Sequence, residues 1–290
     1  MTPPIGAQRA VLTLSCPDAP GIVHAVSELL VDAECTIVES QQFGDPSSGR
    51  FFMRVEFARI DGTALDVVDL RRRTGEVSDH FSMTWRLVDA SDRQRVVLMV
   101  SKFAHCLNDL LFRNSIGELN LDVVAVVSNH PDLGRLADSY RVPFRHIPVT
   151  RDTKAEAEAV LLELVREENV DLVVLARYMQ ILSDDLCKQL EGRAINIHHS
   201  MLPSFKGARP YHQAHARGVK LIGATAHYVT ADLDEGPIIE QELIRVDHSL
   251  TPDQLAARGR EAESRALARA VRWHSENRII VNDTKTIIFQ

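Results

Sequence analysis

The sequence predicts an α/β protein in two parts, a βαββαβ unit followed by a doubly wound, mostly parallel sheet. Three observations carry this. From Ala10 to Asp89 the hydrophobic period switches between two and 3.6 in the order strand, helix, strand, strand, helix, strand. Beyond a polar stretch at Asp89 to Gln94, short and continuously apolar strands alternate with amphipathic helices, the pattern of a parallel sheet covered on both faces. The length, 290 residues, suits two domains better than one. We divide the chain into 1–89, a linker at 90–94, and 95–290.

In the first part, Ala10 to Cys16 alternates as a strand, and Ile22, Val23, Val26, Leu29, Leu30 and Ala33 recur at helical spacing. Thr36 to Phe43 and Phe51 to Phe57 are strands around the turn Gly44 to Gly49. A helix from about Ala64 to Val77 and a strand from Phe81 to Val88 complete a ferredoxin-like unit.

The second part opens with a strand at Val96 to Val100 and a helix from about His105 to Arg113. Asp122 to Ser128, a short helix after Pro131, a strand near Arg145 to Val149, a helix at Lys154 to Glu168, a strand at Asp171 to Leu175 and a helix at Ser183 to Leu190 follow. Ala194 to His198 is a short strand ending in a polar loop, and Ile222 to Val229 and Pro237 to Ile239 are further strands. At Thr251-Pro252-Asp253-Gln254 a cap residue, an N1 proline and an N3 glutamine form a capping box that starts a long helix. Its buried candidates are Leu255, Ala256, Leu267, Ala268, Val271 and Trp273, and the tail at Arg278 to Val281 and Thr284 to Phe289 reads as a hairpin.

Composition excludes several functions. The net charge is -7 with no run of Lys or Arg long enough for a basic stripe, so nucleic acid is not an expected partner. No apolar run spans a bilayer and Met1-Thr2-Pro3-Pro4 has no signal-peptide pattern, so the expectation is a cytoplasmic protein with no membrane partner. Cys16, Cys35, Cys106 and Cys187 form no C-x-x-C pair and read as reduced, partly buried thiols.

The chemistry gathers after the strand at Ala194 to His198. Side chains alternate along a strand, which puts Asn196 and His198 on one face and Ile195, Ile197 and His199 on the other. Asp234, in the loop Thr230 to Gly236, can join them. Such a trio suits attack on an amide-like carbonyl: Asn196 donates to the developing oxyanion, His198 stabilises charge or moves a proton, and Asp234 holds the imidazole or a water. The bland alternative makes Asn196 a strand-end residue, His198 a satisfied half-buried imidazole and Asp234 a turn residue before Gly236. His198 and His199 on opposite faces cannot chelate one ion, and no H-E-x-x-H occurs. His212 and His215, on one helix, and His227 read as surface or supporting histidines, so no metal is expected.

Asn196-Ile197-His198, Leu202 to Gly207 and Leu233 to Ile239 resemble, in letters and spacing, the signature of the folate-dependent formyltransferase family. His198-His199-Ser200, the run Gly207 to Ala214 and the N-terminal unit point to its hydrolytic, deformylase branch. The resemblance spans nearly the whole chain and implies a formyltransferase-like fold for the second part, with 10-formyltetrahydrofolate as substrate, formate and tetrahydrofolate as products, and no separate cofactor. It implies substrate contacts from Arg177, Tyr178, Met179, Gln180, Ile181 and Leu182, from Lys206, and from Thr230, Ala231 and Asp232, with Arg209 as a further loop or glutamate-tail contact. Arg177 and Gln180 depart from the residues usual at this loop in the transferases. The loop Ser101 to Leu107 lacks the glycines with which relatives cradle a phosphate-bearing acceptor. That leaves water as acceptor, the loop's bulk keeping larger acceptors out.

The Pro17 to Ile22 loop and the unit around it resemble ACT domains. Asp18, Gly21 and Ile22 become candidates for an effector such as glycine or methionine, and a homo-oligomer is expected. Two alternatives stand beside hydrolysis: formyl transfer to an amine, and a non-catalytic folate or amino-acid sensor.

Overall fold

The computed structural model describes residues 3–4, 6–202 and 210–290. These pack as two compact units, one of 1–92, 276–282 and 287–290, the other of 93–275 and 283–286. The expected division assigned 276–290 wholly to the second domain, whereas most of that tail packs with the first unit.

The first unit runs β1 (Arg9–Pro17), α1 (Ile22–Asp32), β2 (Cys35–Asp45), β3 (Arg50–Arg59), α2 (Val67–Phe81) and β4 (Thr84–Asp89). Its antiparallel sheet has the order β2-β3-β1-β4. Leu12, Leu14, Met53, Val55 and Phe57 bury one face against Ile22, Val26, Leu30 and Leu70 of the helices. On β3 the alternate residue Arg54 is 2% exposed and pairs with Glu39 at 2.6 Å, and Arg278 of the tail joins the same carboxylate at 3.2 Å. The helix predicted from Ala64 starts at Val67, because the Asp66 carboxylate caps it by accepting from Asp69 N. It continues through Phe81, and Ser82 in the left-handed region then ends it, which delays β4 to Thr84. Gly21, also left-handed, is the N-cap of α1, and no side chain caps that end.

The second unit comprises β5 (Gln94–Val100), α3 (His105–Ser115), β6 (Leu121–Ser128), α4 (Gly134–Ser139), β7 (Phe144–His146), α5 (Lys154–Glu167), β8 (Leu172–Leu175), α6 (Asp184–Gln189) and β9 (Ala194–His198). Then follow α7 (Pro210–Ala216), β10 (Leu221–Tyr228), β11 (Ile238–Arg245) and α8 (Pro252–Ser275). The hairpin strands β12 (Ile279–Asn282) and β13 (Lys285–Ile288) close the chain. The sheet order is β11-β10-β9-β8-β5-β6-β7, parallel from β9 to β7 and antiparallel at β10 and β11. The strand near Arg145, expected to reach Val149, ends at His146. The capping box forms: Thr251 N donates to Gln254 Oε1 at 2.8 Å, and Gln254 N to Thr251 Oγ1 at 3.3 Å. Chain order reverses between β5 and β8, the crevice where open α/β sheets take ligands.

Candidate active site

A cavity of about 260 Å³ opens beyond the carboxyl ends of β8 and β9, lined by the loop after β8, by β9, and by the loop between β10 and β11. The register of β9 against β10 brings Asn196, His198 and His227 to its polar floor. In the antiparallel match of β9 to β10, Asn196 faces His227 and His198 faces Thr225, so all four side chains share one side of the sheet. Asp234 comes from the following loop, its backbone left-handed at φ 57°, a region that Asp enters more readily than most residues. That loop folds back tightly: a Cβ on Gly236 would lie 1.8 Å from the Tyr228 carbonyl oxygen, so only glycine fits.

The three predicted catalytic residues converge. His198, 7% exposed, sets Nδ1 3.1 Å from Asp234 Oδ2, and its Nε2 lies 2.9 Å from Ser200 Oγ. A carboxylate only accepts, so Nδ1 carries the proton and Nε2 is the nitrogen left to exchange one. His227 is buried with Nδ1 2.8 Å from the Tyr228 carbonyl, which fixes the hydrogen on Nδ1. In the neutral ring Nε2 accepts from Asn196 Nδ2 at 3.2 Å, leaving the second amide hydrogen for an oxyanion. Asp234 Oδ1 is 3.6 Å from His227 Nε2. Burial raises the Asp234 pKa, but the hydrogen bond from His198 Nδ1, joined by His227 when that ring is protonated, outweighs it and holds the carboxyl well below its ordinary range.

His199 departs from expectation. The strand ends at His198, so alternation no longer governs the next residue, and His199 lines the cavity with its ring centroid 5.1 Å from that of His198. Burial, then the neighbouring Arg177 and His198, push its pKa down to about 4.

Of the residues expected to contact substrate, Arg177, Tyr178, Met179, Gln180, Ile181, Leu182, Thr230 and Ala231 line the cavity. Asp232 does not: it is exposed, and its carbonyl accepts from Thr230 Oγ1 at 3.0 Å. Lys206 and Arg209 lie outside the described residues. Asp18, Gly21 and Ile22 belong to the first unit, where Ile22 is a core residue at 2% exposure. Sequence reasoning missed His199, His227 as the partner of Asn196, and Glu263 on α8. The signal for Glu263 was a charge on an otherwise apolar helix face, one turn from Gly259 and flanked by Ala262 and Ala266.

Among the described residues, His105, Cys106 and Glu263 have donor atoms within 4.8 Å of one another. Their chemistry fits a metal poorly. His105 Nε2 and Glu263 Oε2 already meet at 2.7 Å, Arg177 stands 3.3 Å from the same oxygen, and burial pushes the Cys106 thiol up, away from the thiolate a metal needs. No helix among the described residues is long and apolar enough to cross a membrane.

The Formyl transferase family profile matches residues 94–271. Over 283 residues the chain is 53% identical to the formyltetrahydrofolate deformylase of Corynebacterium sp. (strain P-1), covering 97% of this chain and 98% of that one. It is 48% identical over 279 residues to the Bacillus subtilis (strain 168) protein of the same name, covering 96% and 93%. The crystal structure of formyltetrahydrofolate deformylase from Burkholderia mallei superposes with a TM-score of 0.93 at 54% identity, over 98% of this chain and all (100%) of that one. Glycinamide ribonucleotide transformylase 1 from Symbiobacterium toebii matches 68% of this chain and 95% of its own, with a TM-score of 0.64 and 30% identity. The chain belongs to the formyltetrahydrofolate deformylase family, within the formyl transferases.

Proposed function

We propose that the protein hydrolyses 10-formyltetrahydrofolate to formate and tetrahydrofolate in one-carbon and purine metabolism, with Asn196, His198 and Asp234 as its catalytic residues. The observation that carries this is the convergence of one amide donor, one imidazole and one carboxylate at the cavity beyond β9. The Asn196 N–H not used by His227 receives the formyl oxygen, whose charge grows as water adds to the carbon. Asp234 is a poor proton acceptor because its pKa is held low, so it orients water and the imidazole while His198 Nε2 takes the proton. The tetrahedral carbon then releases N10, to which the same imidazole, turning from Ser200, returns the proton. One proton leaves water and one arrives at N10, so the step balances without a further reactant and uses no separate cofactor.

The test is formate release by purified protein from 10-formyltetrahydrofolate, with chelator and without any amine. Steady, equimolar formate and tetrahydrofolate support the reading. Release only when an amine is added moves formyl transfer ahead, and binding without turnover favours a sensor.

We further propose a cytoplasmic homo-oligomer whose first unit takes a small amino acid such as glycine or methionine near Asp18, Gly21 and Ile22. The left-handed Gly21, which leaves the α1 N-terminus without a side-chain cap, supports that reading. Absence of both heat and rate change on titrating either amino acid would remove it.

A further inference from the structure

Glu263 is 1% exposed, and its carboxylate gathers partners from three other parts of the second unit. His105 of α3 approaches at 2.7 Å, the Tyr211 hydroxyl of α7 donates at 3.0 Å, and Arg177 after β8 stands at 3.3 Å. Burial would raise the Glu263 pKa, but His105, Arg177 and Tyr211 hold it down as the anion. Helix α8 gives way to this arrangement: a Cβ on Gly259 would lie 1.9 Å from the Tyr211 hydroxyl oxygen.

The cluster continues in two directions. Arg177 lies against the Phe103 ring, 5.2 Å from its centroid, and Met179 N donates to Ser101 Oγ at 2.9 Å, tying the segment after β5 to the cavity loop. Tyr211 stands 6.4 Å from His199, which stacks beside His198. Arg177 and His199 both line the catalytic cavity. From the Ser101 to Leu107 loop, Phe103 joins this cluster while 45% exposed, and Lys102 is exposed.

We propose that this wall, running from Phe103 through Arg177, Glu263 and Tyr211 to His199, determines acceptor specificity: it closes the β5 side of the reacting carbonyl to nucleophiles carried on larger molecules and leaves water. The inference rests on the hydrolytic reading above. An apolar side chain can be pushed aside by a ligand, whereas parting a buried ion pair leaves an uncompensated charge, so the wall resists displacement. In a breached wall a primary amine attacks the formyl carbon in place of water. The new C–N bond forms, the bond to N10 breaks, the amine loses a proton and N10 gains one.

The experiment measures product partition in the full-length protein given 10-formyltetrahydrofolate and excess glycinamide, with formate and N-formylglycinamide quantified in the same reaction. We expect formate alone from the wild type, and at least a tenth of turnovers diverted to the formamide in Phe103→Ala and in Tyr211→Ala. The ratio is internal to each reaction, so a slower variant still reports, and Phe103 is exposed enough to be truncated without emptying a core. Formate alone from both variants, equal partition in wild type and variants, or loss of all turnover in Phe103→Ala would each overturn the proposal. Failure of the hydrolytic reading shows earlier and separately, as no formate from wild type without amine.

Discussion

His198 meets Asp234 through Nδ1 at 3.1 Å, which commits the imidazole to one tautomer and leaves Nε2 as its working nitrogen. Asp234→Asn replaces the acceptor with a group that can donate, so the ring loses its bias. Turnover should fall at least ~10²-fold, as it should in His198→Ala, with near-normal circular dichroism in both. Near-normal rates in the two variants would refute the catalytic trio.

Ser200, His198 and Asp234 lie in the order of a nucleophile, base and orienting acid, with Ser200 Oγ 2.9 Å from the ring. Yet Ser200 is 5% exposed and does not line the cavity, so its hydroxyl steadies the imidazole without attacking substrate. Ser200→Ala is therefore expected to keep turnover within about tenfold of wild type, whereas removal of a true nucleophile costs on the order of 10⁶-fold. A formylated serine trapped by rapid quench and seen by mass spectrometry would reverse this assignment.

Gly259→Ala in an ordinary helix stabilises by roughly 1 kcal/mol. Here the added methyl would stand 1.9 Å from the Tyr211 hydroxyl oxygen, and the substitution should lower the urea midpoint instead. Adding Tyr211→Ala to the same chain should recover part of the loss. Stabilisation by Gly259→Ala alone would mean that Tyr211 does not lie against α8.

His199, with its pKa pushed down to about 4 by burial, links stability to pH. The unfolded imidazole titrates near 6.5, so as pH falls from about 6.5 towards 4 the unfolded state binds the proton first and native stability drops. One proton gives a slope of at most ~1.4 kcal/mol per pH unit. His199→Phe keeps a ring beside Tyr211 and removes the titration, so the stability lost between pH 7.5 and pH 5, measured by urea unfolding, should be smaller in the variant than in the wild type. Identical pH slopes would rule out a half-buried His199 that stays neutral at pH 5.

Much of the site was legible because it follows strand alternation. Asn196 and His198 are two apart on β9, and Asp234 precedes a glycine that only a tight return explains. His199 was misassigned because alternation was extended one residue past the strand, and strand ends are set by tertiary packing. His227 was passed over because its partnership with Asn196 depends on the register of β9 against β10, which no local pattern states. Glu263 was missed because long-range cations, not its neighbours in sequence, make its burial tolerable. The fold was more readable than the site, since continuously apolar β5, β6 and β8 between amphipathic helices leave few other arrangements.

The register of β9 against β10 also orders the birth of the enzyme. Asn196 and His198 are made early, His227 and Asp234 some thirty residues later, and Glu263 later still. A chain leaving the ribosome from its N-terminus thus carries an inert half-site until β10 has docked, and a centre with an open flank until α8 has packed.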